Sequence, residues 1–172
     1  MGTILIPREV MLFCSVLFSK DTPVEEALSL LRQDYGEFAY RSHTMPFAFT
    51  DYYEEEFGSE MQRILVAFEP LVPRNALPDV KIRTNQIESS FMHNGKRRIN
   101  LDPGILTQEN ICLATTKPYS HRIYLDKGIW AEVTLIYRKD SYRGLEWSYP
   151  DYSSGEMIGM FNKLREKYRG KL

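Results

Sequence analysis

VMLFCSVLF, residues 10–18, is a continuous apolar run of strand length with β-branched and aromatic members. A half-exposed strand alternates apolar and polar residues, whereas a run without alternation is typical of a strand buried on both faces. Asp21 or Thr22 is the expected N-cap of a following helix that has Pro23 at its first position. Gly36 ends this helix. The sequence therefore predicts a central strand followed by a helix.

Further along the chain, apolar periodicity and turn residues predict a mixture of strands and helices. In order, we expect strands at residues 38–43 and 47–52, helices at residues 58–70 and 78–93, a strand at residues 99–101 that Pro103-Gly104 ends, a short helix at residues 107–116, a hairpin over residues 121–137 and a helix at residues 153–168. This order predicts an α+β protein in which helices pack on a mostly antiparallel sheet.

The two halves of the chain have a similar predicted order of strand, helix, two strands and helix. FTDYYEEEFGSEM in the first half and SYPDYSSGEM in the second also share an aromatic, Asp-Tyr, Glu-Met order. These observations suggest two ferredoxin-like β-α-β-β-α halves, residues 9–94 and 97–169, although so few shared letters also arise by chance. No linker divides the chain, so we expect one compact domain over residues 1–172.

The composition excludes several classes of protein. The chain has 172 residues, 43% of them hydrophobic, and a formal net charge of -1, which describes a globular protein without a general attraction to nucleic acid or anionic lipid. Cys14 and Cys112 are the only cysteines. We therefore expect free thiols in a reducing compartment, the cytoplasm. The longest apolar run is about half as long as a membrane span, so no membrane partner is expected.

RRINLDPGIL, residues 97–106, carries polar side chains inside a strand pattern. Arg98, Asn100 and Asp102 alternate with two apolar residues, so strand geometry sends these three side chains to one side. The preceding helix, KIRTNQIE, adds three polar residues in one row, at spacings of four and three. These are Lys81, Asn85 and Glu88. All six residues are candidates for contact with a ligand.

ATTKPYSHRIYL, residues 114–125, combines hydroxyl, ammonium, imidazole and guanidinium groups within a few residues. Phosphate sites use this set of donors, and Thr116, Lys117 and Arg122 are therefore candidate ligand-binding residues. His121 is the candidate catalytic acid or base, because imidazole changes its protonation near neutral pH. Alternatively, these basic residues are surface charges paired with neighbouring carboxylates.

Glu88, Asp102 and Glu132 lie on different predicted elements and offer oxygen ligands of the type that Mg²⁺ prefers. Nothing in the sequence brings the three carboxylates together, so no metal site is assigned, and magnesium is kept only as an alternative. The three histidines have no zinc-ligand spacing, and neither a phosphate-binding loop nor a GxSxG motif is present.

A resemblance to a known family rests on six ordered blocks that cover nearly the whole chain. The blocks are PFAFTDYY, KIRTNQIE, RRINLDPGIL, ATTKPYSHRIYL, GIWAEVTLIY and WSYPDY. Together they resemble a family of uncharacterised prokaryotic proteins, the domain of unknown function 4416. Members are often labelled GTP-binding protein, so the resemblance implies a nucleotide pocket. The chain nevertheless lacks both the phosphate loop and the NKxD motif with which a G domain reads guanine.

Two functional hypotheses follow. In the first, a cytoplasmic protein binds a phosphate-bearing ligand, a nucleotide such as GTP or an RNA end, in a cleft. In the second, the chain is an interaction module without a small ligand, and its aromatic FTDYY and WSYPDY surfaces dock a protein partner. The sequence does not say whether the first hypothesis includes catalysis.

Overall fold

The computed structural model describes residues 2–47 and 61–172. Its elements, in chain order, are β1 (Val10–Ser19), α1 (Val24–Tyr35), β2 (Phe38–Arg41), β3 (Met45–Pro46), β4 (Met61–Val72), a 3-10 turn (Arg74–Ala76), α2 (Leu77–Ser90), β5 (Ile99–Leu106), β6 (Asn110–Thr115), β7 (Arg122–Asp126), β8 (Ile129–Arg138), β9 (Ser141–Gly144) and α3 (Gly155–Arg169).

In this part of the chain the strands form one open sheet in the order β2-β4-β1-β5-β6-β8-β7, with β3 on β4 and β9 on β8. Every strand pair in it is antiparallel. Within residues 2–47 and 61–172, three helices accompany the sheet. The predicted α+β class, with helices on a mostly antiparallel sheet, is therefore confirmed.

The predicted central strand, β1, lies between two layers of helix. Alternate side chains of a strand point to opposite faces of its sheet. Leu12, Cys14 and Val16 pack with the apolar residues of α1 and α2, whereas Met11 and Phe13 pack with those of α3. The continuous apolar run is thus explained by burial on both faces, as predicted.

The first two thirds of the chain form one ferredoxin-like unit. Because β4 lies between β1 and β2 and pairs antiparallel with both, β1 and β2 run parallel and are joined through α1. In the same way, β1 lies between β4 and β5 and pairs antiparallel with both. β4 and β5 therefore run parallel, and α2 joins them. Two such split β-α-β arrangements on one sheet are the ferredoxin-like pattern.

The helix predicted at residues 58–70 is wrong from residue 61 onward, because Met61–Val72 is strand β4. Residues 63–68, RILVAF, are buried without interruption, and a continuous apolar run fits the helical period as well as the strand period. The start of that predicted helix lies outside the described residues. The strand predicted at residues 47–52 also lies outside them from residue 48 onward.

The helix predicted at residues 107–116 is also wrong, because Asn110–Thr115 is strand β6. Ile111 and Leu113 pack on the α3 side of the sheet, and Ala114 packs on the other. Residues 97–169 therefore run as five strands followed by one helix, rather than repeating the order of the first half. A duplication of residues 9–94 in residues 97–169 stays a prediction.

Strand β5 continues through Pro103-Gly104, which was expected to end it. Pro103 has no N–H group to donate to a neighbouring strand. This is tolerated because the pairing of β5 with β6 begins only at Gly104, so β6 does not need a donor at Pro103. Gly104 lies directly against the ring of Phe13, and a Cβ atom at this position would be 2.7 Å from the carbonyl oxygen of Cys112. Glycine is needed here for close packing rather than for a turn.

The hairpin and the final helix are confirmed. β7 and β8 are joined at Lys127-Gly128, and both residues have positive φ angles, as a two-residue hairpin turn requires. Helix α3 is capped by the Ser154 hydroxyl, which accepts from the Met157 N–H at 3.3 Å. In residues 2–47 and 61–172, no helix has both the length and the apolar character needed to cross a bilayer.

Gly104→Ala is expected to destabilise the fold by about 1–3 kcal/mol, because the added methyl group overlaps Phe13 and the Cys112 carbonyl. The matched control is Gly159→Ala, where a Cβ meets nothing within 4 Å inside helix α3. The control should be neutral or stabilising by up to about 1 kcal/mol. Urea unfolding of both variants measures the difference, and equal midpoints would contradict the packing role of Gly104.

Candidate functional site

The first half of β5 extends beyond its neighbour β6. β6 pairs only with residues 104–106, so on that side residues 99–102 have no strand partner. The Leu101 N–H instead donates to Glu88 Oε1 at 2.7 Å, and the Leu101 carbonyl accepts from Lys81 Nζ at 2.8 Å. Two side chains of α2 thus provide the hydrogen bonds that a neighbouring strand would otherwise make.

Lys81 and Glu88 belong to a buried network of charges on this edge. Lys81 Nζ lies 3.8 Å from Glu88 Oε1 and 3.6 Å from Asp102 Oδ1. The Asn100 amide donates to Asp102 Oδ2 at 2.6 Å. Arg97 NH1 lies 3.6 Å from Glu88 Oε2. The structure therefore brings together four of the predicted ligand-binding residues, and their main contacts are with one another.

Burial raises the pKa of Glu88 above its ordinary value, and the Lys81 ammonium and the Leu101 N–H oppose this shift without cancelling it. Burial also raises the pKa of the Cys14 thiol well above its usual range, and that of Cys112 to about 11. Both cysteines are free, as predicted. Since the thiolate is the reactive form, neither cysteine is suited to nucleophilic chemistry.

A second buried network centres on Glu132 of β8, which is 2% exposed. Its Oε2 atom lies 2.9 Å from both His121 Nε2 and Arg122 Nε. The remaining Arg122 nitrogens donate to the Lys117 carbonyl at 3.0 Å and to the Tyr149 hydroxyl at 3.3 Å. The predicted pairing of Arg122 with a carboxylate is thus present, and Glu132 holds the side chains of both Arg122 and His121 in place.

Two exposed aromatic side chains, Tyr119 and Trp147, contact the ring of His121. The imidazole stacks on Trp147, with ring centroids 5.1 Å apart and planes 11° apart, and meets Tyr119 edge-on at 5.2 Å. Trp147 is held by a hydrogen bond of 2.9 Å from Nε1 to the Val133 carbonyl. We refer to Tyr119, His121, Trp147 and Tyr149 as the aromatic platform. It is a preformed surface of flat rings above a fixed ion pair.

The strand registers place Asp102 of the first network and Glu132 of the second on the same face of the sheet. Directly paired residues of antiparallel strands share a face, and so do residues two apart on one strand. Gly104, two residues after Asp102, pairs with Leu113 of β6, which in turn pairs with Glu132. Asp102 and Glu132 therefore both project toward the α3 side, with β6 between their strands.

The segment at residues 147–152 connects the platform to a third polar group on this face, which the sequence analysis missed. Asp151 forms a buried ion pair of 2.5 Å with Arg63 NH1 of β4. The Arg63 guanidinium lies over the Tyr152 ring, 5.5 Å from its centroid. A signal was present in the sequence, because Arg63 interrupts an otherwise apolar strand run and a buried charge requires a partner.

Buried polar atoms without a hydrogen-bond partner are concentrated on this face. Ser15 pairs with Asp102 in the sheet and so shares its face. In the described residues, the side-chain atoms concerned are Ser15 Oγ, Arg63 Nε, Glu132 Oε1 and Tyr152 OH. Burial raises the pKa of Tyr152, so its hydroxyl keeps its proton. Unpaired buried polar atoms are costly and therefore uncommon in folded proteins.

Other predicted residues lie elsewhere. β5 begins at Ile99, so Arg98 is outside the strand, and its side chain lines an open groove with Glu26 and Phe91 on the opposite side of the sheet. The expectation that Arg98 shares a side with Asn100 is therefore wrong. Asn85 is half-buried on α2, and Thr116 is exposed in the loop after β6.

The three carboxylates considered for magnesium do not form one ligand set. Glu88 and Asp102 share Lys81, whereas Glu132 is held by His121 and Arg122. Among residues 2–47 and 61–172, no group of three or more His, Cys, Asp or Glu side chains is arranged to hold a metal ion.

Glu88→Gln tests the electrostatics of the Leu101 edge through pH dependence. The raised pKa of Glu88 means that the folded state binds this proton more tightly than the unfolded state does. The stability from this effect is present below pH 4.5, the ordinary glutamate value, and is lost as the pH rises through the raised value. Relative to wild type, Glu88→Gln should therefore gain stability from pH 4 toward neutrality. Urea unfolding at each pH measures the free energy of unfolding of the variant minus that of wild type, and a difference that stays constant or falls as the pH rises would refute the assignment.

Comparison with known proteins places the chain in a family. Neither a search among curated proteins nor one among solved structures finds a match. The family model described as Domain of unknown function (DUF4416) matches residues 8–168, which is nearly the whole chain and includes both buried networks and the platform. The resemblance found in the six sequence blocks is thereby confirmed, and the chain belongs to the DUF4416 family.

Proposed function

We propose that the protein binds a ligand with a phosphate group and a planar ring, a nucleotide or an RNA end, at the aromatic platform. The observation that carries this proposal is the stack of His121 on Trp147, held from below by Glu132. Flat rings that are partly exposed and already fixed in position can bind a base without first being ordered.

The platform offers stacking surfaces of the kind that bases use. Tyr119, Trp147 and Tyr149 are all exposed, and two of them flank the imidazole of His121. Stacking of one base on an aromatic side chain contributes roughly 1–3 kcal/mol and depends little on which base is bound. This supports binding of a nucleotide class rather than strict recognition of guanine.

Anion contacts beside the platform come from fewer groups than the sequence predicts. Arg122 uses Nε, NH1 and NH2 once each on Glu132, Lys117 and Tyr149, and a guanidinium carries five N–H groups. Two donors therefore remain for a phosphate oxygen. The Lys117 ammonium, on an exposed residue of the same loop, adds a mobile positive charge.

His121 is placed to act on a bound ligand if a reaction takes place. Its Nε2 atom faces the Glu132 carboxylate, so the proton sits on that nitrogen and Nδ1 is the acceptor. A carboxylate that orients an imidazole in this way is a common feature of acid-base sites. The catalytic role of His121 remains part of the proposal.

One observation favours a protein partner instead. Edge strand β7 exposes three consecutive apolar side chains, with Ile123, Tyr124 and Leu125 exposed by 70%, 52% and 38%. An exposed apolar run of this kind is typical of docking sites. The FTDYY segment, which the sequence analysis assigned to this second hypothesis, lies outside the described residues.

Tryptophan fluorescence distinguishes the two functions, because the chain has only Trp130 and Trp147. In Trp130→Phe, the remaining tryptophan reports directly on the platform. Titration with GTP and GMP, with and without MgCl₂, should quench this fluorescence in a saturable manner, while ribose 5-phosphate and inorganic phosphate should have weaker effects. In the same background, Tyr119→Ala and Lys117→Ala should each weaken binding about tenfold, or about 1.4 kcal/mol.

Lys163→Ala is the matched control, since Lys163 is an exposed lysine on α3 beside a different groove. It should bind the nucleotides as the parent does. No quenching and no rise in melting temperature with any nucleotide would reject the proposed function. Quenching by GTP that is equally strong in Tyr119→Ala would place the ligand elsewhere.

A further inference from the structure

Residues 2–9 carry an exposed apolar run that packs on nothing in the described chain. The segment has neither helix nor strand structure, and Ile4, Leu5 and Ile6 are exposed by 99%, 78% and 96%. Isolated apolar residues are common on protein surfaces, but three consecutive large aliphatic side chains with almost full exposure are not. Such a run indicates a binding partner.

Strand β7 presents a matching run at the edge of the sheet. It is the last strand in the sheet order and pairs with β8 alone in the part of the chain that the structure describes. Its exposed residues Ile123, Tyr124 and Leu125 form a run of the same length as Ile4 to Ile6. An exposed apolar edge strand is a site where an extended segment adds by main-chain hydrogen bonding.

The segment cannot reach β7 of its own chain. Its base is anchored beside the start of β1, where the Arg8 carbonyl accepts from Arg74 Nε at 3.3 Å and the Glu9 carbonyl accepts from the Tyr168 hydroxyl at 2.7 Å. β7 lies four strands from β1, roughly 19 Å at the usual strand spacing. Three residues, 7–9, span at most about 11 Å even when fully extended.

We propose that residues 3–6 of one copy add as a strand to β7 of a second copy, giving a dimer by reciprocal exchange. Alternation places Ile4 and Ile6 on one side of the added strand and Leu5 on the other, and on β7 it places Ile123 and Tyr124 on opposite sides. The β7–β8 register shifts at Leu125. Pro7 has no N–H group and ends the added strand. Reciprocal exchange forms two such contacts instead of one and so doubles the buried area. This brings it closer to the roughly 1,200 Å² at which specific interfaces begin.

The test is the molar mass of the full chain, measured by light scattering over a range of concentrations. Wild type should be a dimer. We refer to residues 3–6 as the arm and to β7 as the edge. The arm variant Ile4→Asp/Ile6→Asp and the edge variant Ile123→Lys should each be monomeric, with unchanged circular dichroism because all three positions are exposed. A wild-type monomer at every concentration, or variants that remain dimeric, would overturn the proposal.

Mixing the two variants tests the contact itself. The edge variant keeps an intact arm and the arm variant keeps an intact β7, so an equimolar mixture should form a heterodimer with one arm-edge contact, visible by native mass spectrometry. Failure of the mixture to associate at any concentration, including those far above the level at which wild type is fully dimeric, would show that the arm and β7 do not contact each other. Flotation of a monomeric wild type with phosphatidylcholine vesicles would assign the arm to a bilayer and overturn the dimer.

Discussion

The hydrogen bonds between the main chain of Leu101 and the side chains of Lys81 and Glu88 allow β5 to extend beyond its pairing with β6. Leu101 of β5 is not paired with β6. Without Lys81 and Glu88, the Leu101 N–H and carbonyl groups would be buried without partners on this side, at a cost of roughly 1–3 kcal/mol each. Burying an ion pair is itself costly unless its members gain further hydrogen bonds. Here Lys81 and Glu88 gain these hydrogen bonds from the main chain of Leu101, and Leu101 gains partners for its N–H and carbonyl groups. This accounts for the presence of two buried charged residues on α2.

This arrangement determines which charges remain for a ligand. Lys81 is committed to the Leu101 carbonyl, and Arg122 is largely committed to Glu132, so one residue predicted to contact a ligand and one predicted to hold its phosphate mainly support the protein. The accessible part of the α3-side face is the aromatic platform, whose rings are ordered by that same support. In the proposed function, ring stacking would therefore be the main source of ligand affinity and charge the source of orientation.

The sequence predicts the fold well where local patterns have one interpretation. The run at residues 10–18 is bounded by helix signals and was identified correctly, whereas β4 has the same kind of run and was predicted as a helix, because only its pairing with β1 distinguishes the two. Pro103-Gly104 is a turn signal by composition, and its place inside β5 depends on the distant Phe13. Among the residues of the buried networks, Glu132 and Arg122 are already candidates in the sequence because of the chemistry of their side chains, while the ion pair of Arg63 with Asp151 joins residues 88 positions apart.

Amide hydrogen exchange at Leu101 tests the central claim most directly. The account predicts that this N–H exchanges slowly in wild type, although no strand pairs with it, and that exchange becomes much faster in Glu88→Leu. The amides of Asn100 and Asp102, which by alternation point toward β1, should remain protected in both proteins. Unchanged protection of Leu101 in Glu88→Leu, or equal loss of protection at all three amides, would contradict the role of α2 as the substitute for a strand.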